Sequence, residues 1–396
     1  MLTLDNVFNA QTVLKNIIRE TNVVRAYGIA PDCELYLKPE NLQITGSFKV
    51  RGSAYKIAML SEEEKAKGVV ACSAGNHAQG VALAATKNGI KSLICLPDTA
   101  PISKVEATKG FGAEVCLVEG CYDDAYKKAL ELRDSEGYTF VHPFDDENVI
   151  AGQGTIALEI LNDLDNIDAI VVPIGGGGLI SGIAYTAKQI RPSVKVYGVQ
   201  VAGAPSMYNS VKDGEIECLS SVSTIADGIA VKQPGENTFR YVSDYVDEIA
   251  LVTDDEVASA ILALIEKQKM IAEGAGATAV AAVRANKFDL KGKRVVAVVS
   301  GGNIDVTSLS RVIDRGLLNS GRSSSLLIEL IDKPGQLKEI SRIIADCGGN
   351  VTGVHYEKGN TESVNGCFLR IEMETRDFEH VNQITKTLRD EGFKLV

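Results

Sequence analysis

The sequence predicts an α/β body built on parallel strands, followed by a separate and smaller α+β domain. Three observations carry this. From Lys67 to Arg315 the chain repeatedly reads as an apolar run, a turn and a segment of helical period. The turns that follow several of those runs are rich in glycine, serine and asparagine. Beyond Leu317 the rhythm changes, and residues 325–396 read β, α, β, β, α, β.

Taken in order, "VVACSAGNHAQGVALAATKNG" places a strand over Val69–Cys72, a turn over Ser73–Asn76 and an alanine-rich helix to Lys87. Gly89 closes that helix, as a residue tolerant of left-handed backbone should. "KSLICLP" with "SKVEATKGFG", "AEVCLV" with "YDDAYKKALELRDSEG", and "DAIVVPIGGGGLISGIAYTAKQI" repeat the unit. Such alternation predicts a mostly parallel sheet covered on both faces, with ligands bound at the carboxyl ends of the strands. "LLNSGRSSS" is polar and small, so residues 317–324 read as a linker. After it come a strand "LLIELID", a helix "KPGQLKEISRIIADCGG", strands "NVTGVHYEK" and "GCFLRIEMET", a helix "FEHVNQITKTLRDEG" and a final "FKLV". This order is that of a ferredoxin-like sandwich.

Composition narrows the function. A chain of 396 residues with 45% hydrophobic content is enzyme-sized and calls for two or three domains. A formal charge of -11 repels nucleic acid and anionic lipid, which leaves a small molecule as the expected ligand. No apolar run reaches the roughly eighteen residues of a membrane span, and the first twenty residues lack a basic-then-apolar signal, so a cytoplasmic location is expected. The eight cysteines include no CxxC pair and the four histidines have no ligand spacing; neither a disulfide framework nor a metal site is expected.

Three turns and one lysine are candidates for chemistry. In "IGGGGLISG", Gly175, Gly176, Gly177 and Gly178 stand between a strand and a helix, where bare N–H groups and the positive helix end suit a phosphate. A dinucleotide fingerprint would need GxGxxG and an acid ending the next strand, and "KVYGVQVAGA" has none. "CSAGNHAQG" offers Ser73, Ala74, Gly75, Asn76 and His77 at a helix start, able to hold a carboxylate or ring oxygen, though Ser and Asn are also ordinary cap residues. Ser300 in "VVSGGNID" ends an apolar strand, as in any strand-to-helix turn. Lys49 in "ITGSFKVRG" follows Phe48 at the start of a helical pattern. A lysine there is commonly just solvated, yet a desolvated one is a nucleophile. An amine, a phosphate cup and a hydroxyl-bearing turn together fit pyridoxal phosphate.

With these residues in view, the sequence closely resembles the threonine ammonia-lyases, or threonine dehydratases, which are fold type II pyridoxal phosphate enzymes related to tryptophan synthase beta subunits. "ITGSFKVRG", "SAGNHAQG", "GGGGL", "TIADGIAV" and "VVSGGN" match the family's motifs in order. The resemblance implies a two-lobed catalytic domain over residues 1–316, its smaller lobe within about 50–150, and an ACT-like regulatory domain over 325–396 with "DKPGQL" after its first strand. It implies that Lys49 forms the Schiff base with pyridoxal 5'-phosphate and that Phe48 lies beside the ring. By the same match Asn76 meets the ring oxygen, Gly175 to Gly178 with Leu179 hold the phosphate, Ser300 partners the ring nitrogen, and the Ser73 to His77 turn receives the substrate.

The implied reaction is dehydration and deamination of L-threonine to 2-oxobutanoate and ammonia, and of L-serine to pyruvate, with Lys49 as general base. A neutral Ser300 hydroxyl leaves the ring a weaker electron sink than an aspartate would, which favours prompt loss of the β substituent. Serine racemases are similar throughout but carry a serine at the position of Ala74, so elimination is expected to dominate here. "FKVRG" also differs from the "FKDRG" typical of threonine synthases. Loss of ammonia from 3-hydroxyaspartate is an alternative on the same scaffold; a nucleotide-binding regulatory protein and a dehydrogenase are alternatives from other classes. ACT-like domains pair across subunits and bind amino acids, which implies a homotetramer or homodimer and an amino-acid effector.

Overall fold

The computed structural model describes residues 1–357 and 366–396; Lys358, which ends one expected strand, lies outside them. The chain divides into two compact units, Met1–Leu309 and Ser310–Val396.

The first unit holds ten strands: β1 Val24–Arg25, β2 Glu34–Pro39, β3 Val69–Cys72, β4 Ser92–Pro97, β5 Glu114–Val118, β6 Thr139–Phe140, β7 Ala169–Pro173, β8 Lys195–Val201, β9 Glu248–Val252 and β10 Arg294–Val299. They form two sheets. One is ordered β5-β4-β3-β6 and wholly parallel; the other is β1-β2-β10-β7-β8-β9, parallel except for the β1 edge. The alternation of strands and helices is as the sequence predicts, and the two sheets within one compact unit are the two-lobed parallel sheets that the resemblance implies. Every residue of β3 and of β7 is buried, which explains why these strands read as unbroken apolar runs and not as alternating ones.

The helix Glu147–Asp163 has thirteen buried residues, and it packs against both the Lys49–Ala58 and the Gly178–Ile190 helices. Contact is at backbone distance: a Cβ on Gly152 would lie 2.6 Å from the Arg51 carbonyl oxygen. A buried ion network crosses the same interface. Arg51 donates to both Glu40 oxygens at 2.8 Å and to Glu159 at 2.6 and 2.8 Å, while Lys38 donates to Glu159 at 2.6 Å and to the Thr21 carbonyl. Arg51, Glu40 and Lys38 are fully buried. Burial alone would push the Glu40 carboxyl up, but the Arg51 charge and hydrogen bonds reverse this and hold it below the usual carboxylate range.

The second unit contains β11 Ser323–Ile331, β12 Asn350–Glu357, β13 Gly366–Glu374 and β14 Lys394–Leu395, with helices Gln336–Asp346 and Phe378–Asp390. Its antiparallel sheet is ordered β12-β13-β11-β14, the expected βαββαβ sandwich. Along β13, Cys367, Leu369, Ile371 and Met373 alternate inward and join Ile340, Ile344, Ile384 and Leu388 from the helices in one core. The stretch expected as a linker is mostly regular structure. A helix runs from Val306 to Asn319, and Ser323 and Ser324 already pair with Glu374 and Met373. Small polar residues permit disorder, but here the ladder to β13 satisfies their backbone. Among the described residues no helix is long and apolar enough to cross a membrane.

Arg51→Ala would leave Glu40 and Glu159 buried without their main partner. We expect it to lower the unfolding free energy by about 3–5 kcal/mol in urea titrations at neutral pH. The contribution of Glu40, held low, should be present at neutral pH and fade as pH falls through the carboxylate range. Breaking the exposed Lys65–Glu62 pair instead should change stability by less than about 1 kcal/mol.

Candidate active site

Four turns converge at the carboxyl ends of parallel strands, where α/β sheets bind ligands. One follows β2 and leads through Thr45 to Phe48 into the Lys49–Ala58 helix; the others follow β3, β7 and β10. The first and last are stitched together. Ser47 bridges Gly301, Phe48 N donates to the Ser300 carbonyl at 3.1 Å, and Gly302 N to the Gly46 carbonyl at 2.9 Å. Asn303 Nδ2 donates to the Thr45 carbonyl and to Asn76 Oδ1, both at 2.7 Å, which ties in the turn after β3.

Lys49 opens its helix, and its Nζ donates to the Pro143 carbonyl at 2.8 Å, 5.3 Å from the centroid of the Phe48 ring. Burial lowers the amine to about 8, with Glu273 opposing. The neighbouring Phe144 packs on the glycine turn: a Cβ on Gly176 would lie 2.4 Å from its ring. Gly177 caps the Gly178–Ile190 helix with φ at 98°, a left-handed conformation that glycine adopts freely. Thr238 Oγ1 donates to the Gly176 carbonyl at 2.6 Å and Thr238 N to Asp145 at 3.1 Å, so the acceptor of Lys49 and the glycine turn form one packed unit. Gly175 is half-buried at the mouth of this turn, while Leu179 belongs to the core beneath it.

In the turn after β3, Ser73 Oγ accepts from Gly75 N at 3.1 Å and so closes its own turn. Ala74, Gly75 and Asn76 are half-buried, and the space where Gly75 would carry a Cβ is open. Asn76 Nδ2 donates to Glu273 at 2.7 Å. His77 departs from the group. It is buried, its Nε2 lies 2.8 Å from the Val141 carbonyl and its Nδ1 3.5 Å from Ser53 Oγ, and burial aided by the Lys49 charge holds it down to about 3. It is thus neutral, with both ring nitrogens directed into the protein. Ser300 is 3% exposed, and among the described residues its hydroxyl makes only a long hydrogen bond of 3.3 Å to the Ala275 carbonyl.

Three contributors were not anticipated from sequence: Pro143, Asn303 and Glu273. Glu273 precedes a glycine and alanine run, where an acid looks like any helix-start residue. Its carboxyl is pushed up to about 7 by burial and then by Asp227, against the Asn76 hydrogen bond and the charges of Lys104 and Lys49.

Residues 14–301 match the family described as pyridoxal-phosphate dependent enzyme. The chain belongs to that family. Among its relatives is an L-threonine ammonia-lyase of Thermotoga maritima, 48% identical over 398 residues that cover 100% of this chain and 99% of the relative. The fold is similar to that of threonine deaminase isoform 2 from Solanum lycopersicum, with a TM-score of 0.76 and 38% identity across 80% of this chain and 90% of that one. It is also similar to serine racemase from Dictyostelium discoideum, with a TM-score of 0.72 and 38% identity across 77% and 99% of the two chains.

The residues present fit pyridoxal phosphate. A lowered lysine amine, a helix N-terminus preceded by a close-packed glycine turn, and an underused buried serine hydroxyl correspond to the aldehyde, phosphate and ring of the cofactor. Gly176→Ala should push Phe144 and the attached Pro143 carbonyl out of place. We expect cofactor affinity, measured by absorbance titration, to fall at least about tenfold, as loss of one or two hydrogen bonds would give.

Proposed function

We propose that the enzyme converts L-threonine to 2-oxobutanoate and ammonia, and L-serine to pyruvate and ammonia, with Lys49 as the residue that carries the cofactor. The observation that carries this is the Lys49 amine, lowered to about 8 and linked through Pro143 and Phe144 to the glycine turn. Full-length likeness to an L-threonine ammonia-lyase supports threonine as the substrate.

When bound, pyridoxal phosphate supplies an electron sink for the α-carbon of an amino acid. The chain's part is to place and move protons. Lys49 Nζ would take the α proton as general base. Electrons from that bond expel the β hydroxyl, which leaves as water once protonated; hydrolysis then yields the keto acid and ammonia. The turn from Ser73 to His77 would receive the substrate carboxylate, Asn76 would donate to the ring oxygen, and Gly175 to Gly178 with Leu179 would hold the phosphate. Ser300, being neutral, would partner the ring nitrogen without protonating it. Phe48 would lie beside the cofactor ring.

The catalytic body over 1–316 and the regulatory role of 325–396 belong to the same proposal. The βαββαβ fold of the second unit supports an amino-acid effector acting through a homo-oligomer.

Keto acid release from L-threonine, L-serine and 3-hydroxyaspartate by the purified protein tests the substrate; threonine should be fastest. Lys49→Ala should lose at least about 100-fold in kcat and the visible band of the bound cofactor. In cofactor-free protein the neutral amine is the reactive form. The rate of cofactor capture should therefore rise with pH and level off above about 8, where a lysine at the ordinary 10.5 would still be climbing. Serine racemisation on a similar fold favours one further check. Ala74→Ser restores a hydroxyl in the substrate turn and should let D-serine accumulate on chiral chromatography, whereas the wild-type protein should yield pyruvate with little D-serine.

A further inference from the structure

The steps above leave Glu273 without a task, although it is a 5% exposed carboxyl within reach of the site. Three elements enclose it. Asn76 Nδ2 donates to its Oε1 at 2.7 Å, and a Cβ on Gly301 would lie 2.4 Å from the same oxygen. A Cβ on Gly228 would lie 3.4 Å from it. Its backbone N donates to the Gly301 carbonyl at 3.1 Å, which fixes the residue to the turn carrying Ser300. Among the described residues no cation forms an ion pair with it, and Lys104 is engaged with Asp227 at 2.8 Å.

Asn76 is held from both ends. Its Oδ1 accepts from Asn303 and its Nδ2 donates to Glu273, so the amide cannot flip, and the second N–H of Nδ2 is left for another acceptor. A glutamine at 273 would orient that amide equally well. Only a carboxyl adds charge, and a buried carboxyl without an ion pair is costly to keep.

We propose that Glu273 is a positioning residue with two effects: it locks the Asn76 carboxamide toward the cofactor, and its charge sets the proton occupancy of Lys49. This rests on the reading of Lys49 and Asn76 given above. The groups facing Glu273 are Lys49, Asn76, Asp227 and Lys104, each from a different element. Lys49 is in turn faced by Glu273, His77 and His142. Burial pushes both histidines down, to about 3 and about 4, so neither titrates near neutral pH. Glu273, at about 7, does. As it ionises, its negative charge favours the ammonium form of Lys49; removing it should lower the Lys49 midpoint.

The test is made on cofactor-free protein. The pH dependence of Lys49 acetylation by acetic anhydride, followed by peptide mass spectrometry, gives the midpoint of that amine. In Glu273→Gln it should fall by about one pH unit, with cofactor affinity within about threefold of wild type. In Glu273→Ala the midpoint should fall as far, and the cofactor dissociation constant should rise about five- to tenfold because Asn76 is unlocked. An unchanged midpoint in the glutamine variant overturns the charge effect. An unchanged cofactor constant in a folded alanine variant overturns the orienting effect. Failure of the wild-type protein to bind pyridoxal phosphate would instead remove the catalytic reading, since the amine midpoint is read without cofactor.

Discussion

The body of the enzyme depends on how the helix that begins with Lys49 is locked to the one that runs from Glu147 to Asp163. Arg51, one half-turn beyond Lys49, reaches Glu40 at the end of β2 and Glu159 on the partner helix, with Lys38 sharing the second carboxylate. Removing four charged groups from water consumes most of what their mutual attraction returns. Their consequence is positional. A guanidinium satisfied on two sides by carboxylates admits one geometry, and Gly152 allows the two helices to approach until that geometry is reached. The same helix packs on the one that follows the glycine turn, so the lysine and that turn are set relative to one another by a shared buried scaffold.

This scaffold also governs the charges at the site. Burial is the leading influence on Lys49, His77, His142 and Glu273, and in each case it favours the neutral form. The two histidines are driven so low that they are spectators. Lys49 and Glu273 stay within reach of neutral pH because burial is opposed at each: at Lys49 by the Glu273 charge, and at Glu273 by the Asn76 hydrogen bond and then by the charges of Lys104 and Lys49. A lysine in water would be protonated and inert as a nucleophile; one with no nearby carboxyl would titrate lower still. The position between those limits matches an amine that must be both a nucleophile and a proton acceptor.

Much of this was legible in the sequence for identifiable reasons. Strands such as "VVAC" and "AIVVP" are buried on both faces, so their apolar runs are unbroken, and the turns after them carry glycine where backbone must approach a ligand or another helix. The pairing of strands was not legible. β10 lies between β2 and β7, far apart in the chain, and only tertiary packing decides that order. The serine-rich segment after Leu317 misled because composition reports the freedom of a chain and not the ladder it joins. His77 looked available in the first turn of a helix, yet helical period turns it inward. Glu273 and Asn303 act only across long sequence separations, on a residue near position 76, which no local pattern encodes.

The distribution of proton-handling groups argues for elimination over inversion on this scaffold. Losing a β hydroxyl needs one base for the α proton; inverting the α carbon needs a second group able to return that proton from the other side. Lys49 is the first. For the second, Ala74 has no proton, His77 points into the protein with its nitrogens near Val141 and Ser53, and the Ser73 oxygen is folded back to accept from Gly75 N. Glu273 could titrate in the right range, but its carboxyl is turned to Asn76 and Gly301 and acts on the amine through its charge. A chain built this way directs the electrons of the broken C–H bond toward the leaving group, because the alternative requires a donor it does not place.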